Sequence, residues 1–174
     1  KYFISGLLDQ GEIKNHKNFI QMKHEKFRLL KTILVAIFAC MMVSTYATTY
    51  VVQSSGDTGT FSLRNLISIA AAGDTILFNP GTNGVPIVLS SEIFITKNIT
   101  IIGNGDDVTS IDGNDATRLF LINSGVNVTM IDLRFEHGNG QGLFMDGFGG
   151  AISVFGSLTV QSSTFNNNNA VNGG

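Results

Sequence analysis

GGAISVFGSLTVQSSTFNNNN, Gly149 to Asn169, sets two short apolar runs, Ala151 to Phe155 and Leu158 to Val160, ahead of a lone Phe165 and four consecutive asparagines. Runs this short have strand length rather than helix length. Laid over earlier stretches, SLTVQSSTF from Ser157 aligns with NVTMIDLRF from Asn127 and NITIIGNG from Asn98. Thr100, Thr129 and Thr159 then stand 29 and 30 residues apart, each behind a branched apolar residue: Ile99, Val128 and Leu158. A period of this size is the mark of a solenoid. The expected fold is therefore all-β, a right-handed parallel β-helix. Each coil contributes short strands that pair with their equivalents in the next coil, and the inward residues form columns of Ile, Val, Leu and Phe. The asparagines suit the corners because Asn tolerates the left-handed backbone and hydrogen-bonds its own chain. On this reading Phe165 is a core plug and Asn166 to Asn169 turn a corner.

Outward from this stretch, strands are expected at Thr48 to Gln53, Thr75 to Phe78, Ile87 to Leu89, Ile93 to Ile95, Ile99 to Ile102, Leu119 to Ile122, Val126 to Phe135, Ala151 to Val154, Leu158 to Val160 and briefly at Phe165. The one helical pattern after residue 48 lies in FSLRNLISIAAAGDTILF. There Leu63, Leu66, Ile67, Ala70 and Ala71 share a face, Ser62 can cap the start and Gly73 the end. A solenoid end exposes apolar core and unpaired strand edges, so Phe61 to Ala72 is expected to be a short amphipathic cap at the N-terminal end. The chain stops at Gly174 with nothing that looks like an end, so the β-helix is expected to be truncated at its C-terminus.

The first third of the chain differs in character. From Met22, Lys23, Lys26, Arg28 and Lys31 precede an apolar run from Thr32 to Val43, and Thr45-Tyr46-Ala47 offers small residues for cleavage at Ala47. That order is a secretory signal peptide, residues 22–47, and twelve apolar residues are too few to span a bilayer. Residues 1–21 lack a Met and a clear period and are read as upstream translation or an unstructured leader. The remainder, 48–174, is the β-helix. Cys40, the single cysteine, lies within the apolar run, so the mature chain would have no disulfide or thiol chemistry. Residues 48–174 carry 4 basic side chains against 10 acidic, a net of −6, which argues against nucleic acid as a partner.

Gly149-Gly150-Ala151-Ile152 followed by Phe165-Asn166-Asn167-Asn168 resembles the GGA[IL] and FxxN elements of polymorphic outer membrane protein repeats, found in secreted right-handed parallel β-helix proteins. FSLRNLISIAAAGDTILF is similar to the cap region written with a CSLREA signature, with Phe61 in place of the Cys and Asn65-Leu66 in place of Glu-Ala. The resemblance covers Thr48 to Gly174. It implies export and display at the surface of a Gram-negative bacterium, an adhesin-like role with host or surface glycans or proteins as partners, and membrane contact only during export or through a C-terminal anchor.

Chemistry has fewer footholds. In IDLRFEH, strand alternation places Ile131, Leu133 and Phe135 inward and Asp132, Arg134 and Glu136 together outward, where two carboxylates beside an Arg could hold Ca²⁺ and a uronate. A solvated strand face with offsetting charges is the blander and preferred account. Asp106, Asp107, Asp112 and Asp115 form the densest acidic stretch, but their spacing fits neither an EF-hand nor a calcium β-roll, and the stretch reads as a polar loop between coils. His137 ends a strand and reads as a surface residue. Sequons at Asn98 and Asn127 fall at equivalent repeat positions, which coil geometry explains without sugar. Leu143, Phe144, Met145 and Phe148 make the loop 141–148 more apolar than a solvated loop. No cofactor is expected. The favoured function is a binding scaffold, with a polysaccharide lyase or glycoside hydrolase, or a purely structural spacer, as rivals.

Overall fold

The computed structural model describes residues 5–41, 46–143 and 146–172, and burial from Ile13 on, except at residues 38–41. The chain divides into two units, Lys1–Thr45 and Tyr46–Gly174. The first holds helix α1, Ser5–Met41. Between Glu12 and Met41 there is neither Gly nor Pro, and Lys, Glu, Leu, Ala and Met favour helix. The helix passes through the 21/22 junction drawn from the sequence, so residues 5–21 are helical. Among the described residues no helix is long and apolar enough to cross a membrane. Thr45 and the side chain of Cys40 lie outside the described residues.

The second unit is a parallel β-solenoid. Strand β1 (Thr49–Val52) leads through α2 (Leu63–Ile69) to β2 (Thr75–Phe78). There follow β3 (Ile87–Val88), β4 (Ile93–Ile95), β5 (Ile99–Ile102), β6 (Ser110–Asp112), β7 (Phe120–Ile122), β8 (Asn127–Ile131), β9 (Arg134–Glu136), β10 (Ile152–Val154), β11 (Ser157–Gln161) and β12 (Thr164–Asn166). They stack into three parallel walls, ordered β1-β2-β5-β8-β11, β4-β7-β10 and β3-β6-β9-β12. From β2 on, successive strands visit the walls in turn, so each circuit is one coil.

Registers align the coils residue by residue. On the five-stranded wall Thr49, Thr75, Thr100, Thr129 and Thr159 fall in one column. Ile76, Ile101 and Met130 form a buried inward column beside it. Ile87, Ile111, Phe135 and Phe165 form another behind the four-stranded wall. Phe135 meets Phe120 edge-on at 6.2 Å and stacks on Phe165 at 4.8 Å. Phe165 therefore joins the core column as expected, yet it is 49 % exposed, because no described coil stacks on its far side.

Two strand readings need correction. Val126 to Phe135 is not one strand: Asp132, at φ 56, takes the left-handed conformation and splits it into β8 and β9. Ser162, one coil on, turns the same corner at φ 47. Gly103 occupies that place one coil earlier, where an added Cβ would lie 2.1 Å from the Asp132 carbonyl oxygen. The acidic stretch 103–116, read as a loop, contains β6. Ile111 there is fully buried, and one apolar residue per short strand is too little pattern to show in a polar sequence.

The GGA and NNN elements meet each other. Gly149 has φ 56, and a Cβ on Gly150 would sit 2.7 Å from the Asn169 backbone. Asn168 accepts from the Gly138 N–H and donates to the Phe135 carbonyl, each at 2.8 Å, so one side chain ties two coils at their corner. Asn98 does similar work, accepting from the Asn127 N–H at 2.8 Å.

The cap is held by charge as well as by its apolar face. Ser62 caps α2, accepting from the Asn65 N–H, and Leu63, Leu66 and Ile67 are buried. The helix stops at Ile69, which leaves Ala71 exposed rather than on the buried face. Its end is closed by Lys97, not by Gly73: the ammonium donates to the carbonyls of Ser68, at 2.8 Å, and Ala70. Asp74, 2 % exposed, accepts from the Thr48 and Ala71 N–H groups at 2.7 Å each. Those two bonds, with the Lys97 charge, outweigh burial and hold its carboxyl below the ordinary value of 3.8. Burial pushes Asp57 up, but hydrogen bonds from Ser90 and Arg64 overcome it and leave that carboxyl low as well. Both groups bind protons more readily when unfolded, so their stabilisation is present above about pH 4 and is lost as pH falls through the depressed native values. Acid titration followed by circular dichroism should therefore show stability falling below about pH 4, and Asp74→Asn should make that fall shallower. An unchanged slope would remove Asp74 from this role.

Candidate functional site

The residues singled out for catalysis do not converge. Asp132 sits at a corner, so alternation breaks there and Ile131 faces outward beside Thr129 instead of inward. Only Arg134 and Glu136 share the outer face of β9. Arg134 donates through Nε to the Asp106 carbonyl at 2.8 Å, binding the 103–109 loop. Asp106 in turn accepts from the Thr164 hydroxyl at 2.5 Å. The corner thus takes Asp132 off the face that Arg134 and Glu136 share.

Of the acidic set Asp106, Asp107, Asp112 and Asp115, Asp106 lies by Arg134 and Thr164, whereas Asp112 and Asp115 lie near His137. Asp115 is exposed, its N–H donating to the His137 carbonyl at 2.8 Å. Asp112 instead joins Glu136 and His137, which lie one coil on in the sequence. Register pairs Asp112 with Glu136 across β6 and β9, and His137 follows at a left-handed corner with φ 49. Donor atoms of all three lie within 4.8 Å of one another, the one such group among the described residues. His137 Nδ1 is 3.2 Å from Asp112 Oδ1, and this hydrogen bond, aided by the charges of Asp112, Asp115 and Glu136, raises the imidazole above its ordinary 6.5. Ser110 donates to Glu136 Oε1, and the Asn114 N–H donates to Asp112 Oδ1 at 2.7 Å.

A second polar centre escaped the sequence reading altogether. Arg118 is 0 % exposed and pairs with Glu92, 7 % exposed, at 2.7 Å. Its guanidinium also donates to the carbonyls of Phe148 (2.7 Å), Gly149 (3.1 Å) and Gly140 (3.2 Å). Glu92 Oε1 accepts from the Leu143 N–H at 2.6 Å. The pair therefore clamps the long loop between β9 and β10 onto the wall. On the other side, the Glu92 carbonyl accepts from Arg64 at 2.9 Å, and Arg64 holds Asp57 at 2.8 Å, so one network runs from cap to loop. A shallow pocket of about 460 Å³ lies along it, lined by Ser90, Phe94, Thr117 and Leu143 among others. Leu143 and Phe148 are exposed, while Phe144 and Met145 lie outside the described residues. The one sequence signal for the clamp was an arginine directly before the apolar run Leu119 to Ile122.

Among the described residues the wall with the most strands is the five-stranded one. Beside the threonine column runs a second one of Val51, Leu77, Ile102, Ile131 and Gln161. No position of either column carries a charge. With strands about 4.8 Å apart, the five rungs extend about 19 Å along the axis. Ala47 is exposed just ahead of this wall, and the Thr75 N–H donates to the Thr48 carbonyl at 2.9 Å.

Comparison of the chain with protein-family models, with curated proteins and with solved structures finds no match to any of them.

Proposed function

We propose that the solenoid is a secreted or surface-displayed, adhesin-like scaffold that presents its five-stranded wall to a neutral glycan chain. The observation that carries this reading is the paired column of threonines and aliphatic side chains. Hydroxyls repeat at strand spacing beside a row of aliphatic groups. A neutral sugar chain offers the complementary pattern of hydroxyl edges and C–H faces. A charged polymer would find no counter-ion there, and the net negative charge of residues 48–174 disfavours polyanions. Export is supported by the basic, apolar and small-residue order from Met22 to Ala47. The corner that takes Asp132 off the face of Arg134 and Glu136 weighs against a lyase-like use of those three residues.

Binding to insoluble neutral polysaccharides, measured by co-sedimentation, tests the reading. Thr100→Lys with Thr129→Lys should lower binding by about tenfold or more, whereas Arg134→Gln should leave it unchanged. Binding that survives the double lysine variant would exclude this wall. Release of reducing ends from the polysaccharide would favour the enzyme instead.

A further inference from the structure

We propose that Asp112, Glu136 and His137 form a binding site for a divalent transition-metal ion, with Zn²⁺ as the ion that suits the donors best. The proposal does not rest on the glycan reading. Asp112 and Glu136 stand directly opposite one another on adjacent strands, in the outward column Val88, Asp112, Glu136, Asn166. Like charges in that relation destabilise a sheet unless a cation lies between them. Among the described residues no lysine or arginine forms an ion pair with either carboxylate, and Arg134 is turned to the Asp106 carbonyl. The one histidine beside them, His137, places its Nδ1 3.2 Å from Asp112 Oδ1.

His137 is not required by the backbone. The corner asks only for a residue that accepts left-handed φ, and Asn167 meets that need one coil later at φ 52. What histidine adds is a nitrogen donor beside two oxygens. One imidazole with two carboxylates suits zinc and its neighbours, whereas Ca²⁺ takes six to eight oxygens. Around a tetrahedral ion with bonds of about 2.0–2.2 Å, donors stand about 3.3–3.6 Å apart, so the three, within 4.8 Å of one another, need to close by at most about 1.5 Å. The Ser110 hydroxyl and the Asn114 N–H each hold one carboxylate oxygen, which orients the groups as outer partners of metal ligands do. Three protein donors leave a fourth position open to water or to an oxygen of a bound molecule.

The test uses the full chain carrying His16→Ala, His24→Ala and Cys40→Ser, which leaves His137 as the sole histidine and no thiol. Equilibrium dialysis against ZnCl₂ at neutral pH should show one bound equivalent. Asp112→Asn, Glu136→Gln and His137→Asn should each weaken binding by about tenfold or more, and the triple variant should abolish it. Circular dichroism spectra matching the parent would show that the variants are folded; His137→Asn places at this corner the residue found one coil later. No bound zinc in the parent, or the same stoichiometry in the folded triple variant, would overturn the proposal. So would zinc binding that is unaffected by His137→Asn and displaced equally by CaCl₂, since the imidazole would then not be a ligand.

Discussion

Arg118→Ala should destabilise the solenoid by about 3–5 kcal/mol, the cost of leaving a buried charge without its partner. Glu92 would remain 7 % exposed with the Leu143 N–H to share its charge, and the carbonyls of Gly140, Phe148 and Gly149 would lose the donor they share. Glu92→Gln should cost less, because the amide keeps an acceptor for Leu143 while Arg118 keeps its carbonyl partners. Arg118→Lys should rescue little, since one ammonium cannot reproduce a planar fork that reaches a carboxylate and several carbonyls. The readout is urea unfolding combined with amide hydrogen exchange over residues 138–143 and 146–150. Exchange in this loop should rise in Arg118→Ala even where β2, β5 and β8 stay protected, because solenoid coils hold one another mainly through nearest neighbours. A loss under about 1 kcal/mol with loop exchange unchanged would mean that the loop is held by its backbone contacts alone.

That clamp marks the limit of what the sequence discloses. Thr100, Thr129 and Thr159 announced the repeat because the coils between them have nearly equal length. Thr49 and Thr75 belong to the same column, yet the spacing from Thr75 to Thr100 is 25 and that from Thr49 to Thr75 is 26, so no fixed period reveals them. The corners vary in length far more than the wall strands do. Register is a property of hydrogen bonding between coils, not of sequence distance. For the same reason Asp112 and Glu136, 24 residues apart, become neighbours, while Asp132 and Arg134, two residues apart, part company at a left-handed corner. The start of α2 was legible because Ser62 and the apolar spacing act locally. Its end was not, because Lys97 reaches it from a different coil. Glu92 and Arg118 lie 26 residues apart, and neither stands in a motif. Their burial is decided by a loop that packs over them.

Phe135→Ala should cost about 3–5 kcal/mol, whereas Phe165→Ala, at the equivalent position one coil on, should cost only about 1 kcal/mol. Both side chains point into the same column, so the difference comes from what lies above and below each. Phe135 is 0 % exposed between Ile111 and Phe165 and carries Phe120 against its edge. Removing its ring leaves a cavity that backbone ladders on both sides prevent from closing, and the Asn168 amide that bonds its carbonyl holds the corner in place. Phe165 loses contact on one face only. A double-mutant cycle between Phe120 and Phe135 should return a coupling of about 0.5–1.5 kcal/mol, the excess of an edge-to-face pair over its buried area. Phe135→Leu should recover most of the loss, since volume matters more here than aromaticity. Equal costs at 135 and 165 would mean that the stacking column is not what sets stability along the axis. The weight would then shift to the corner asparagines, whose side chains tie the same two coils from outside the core.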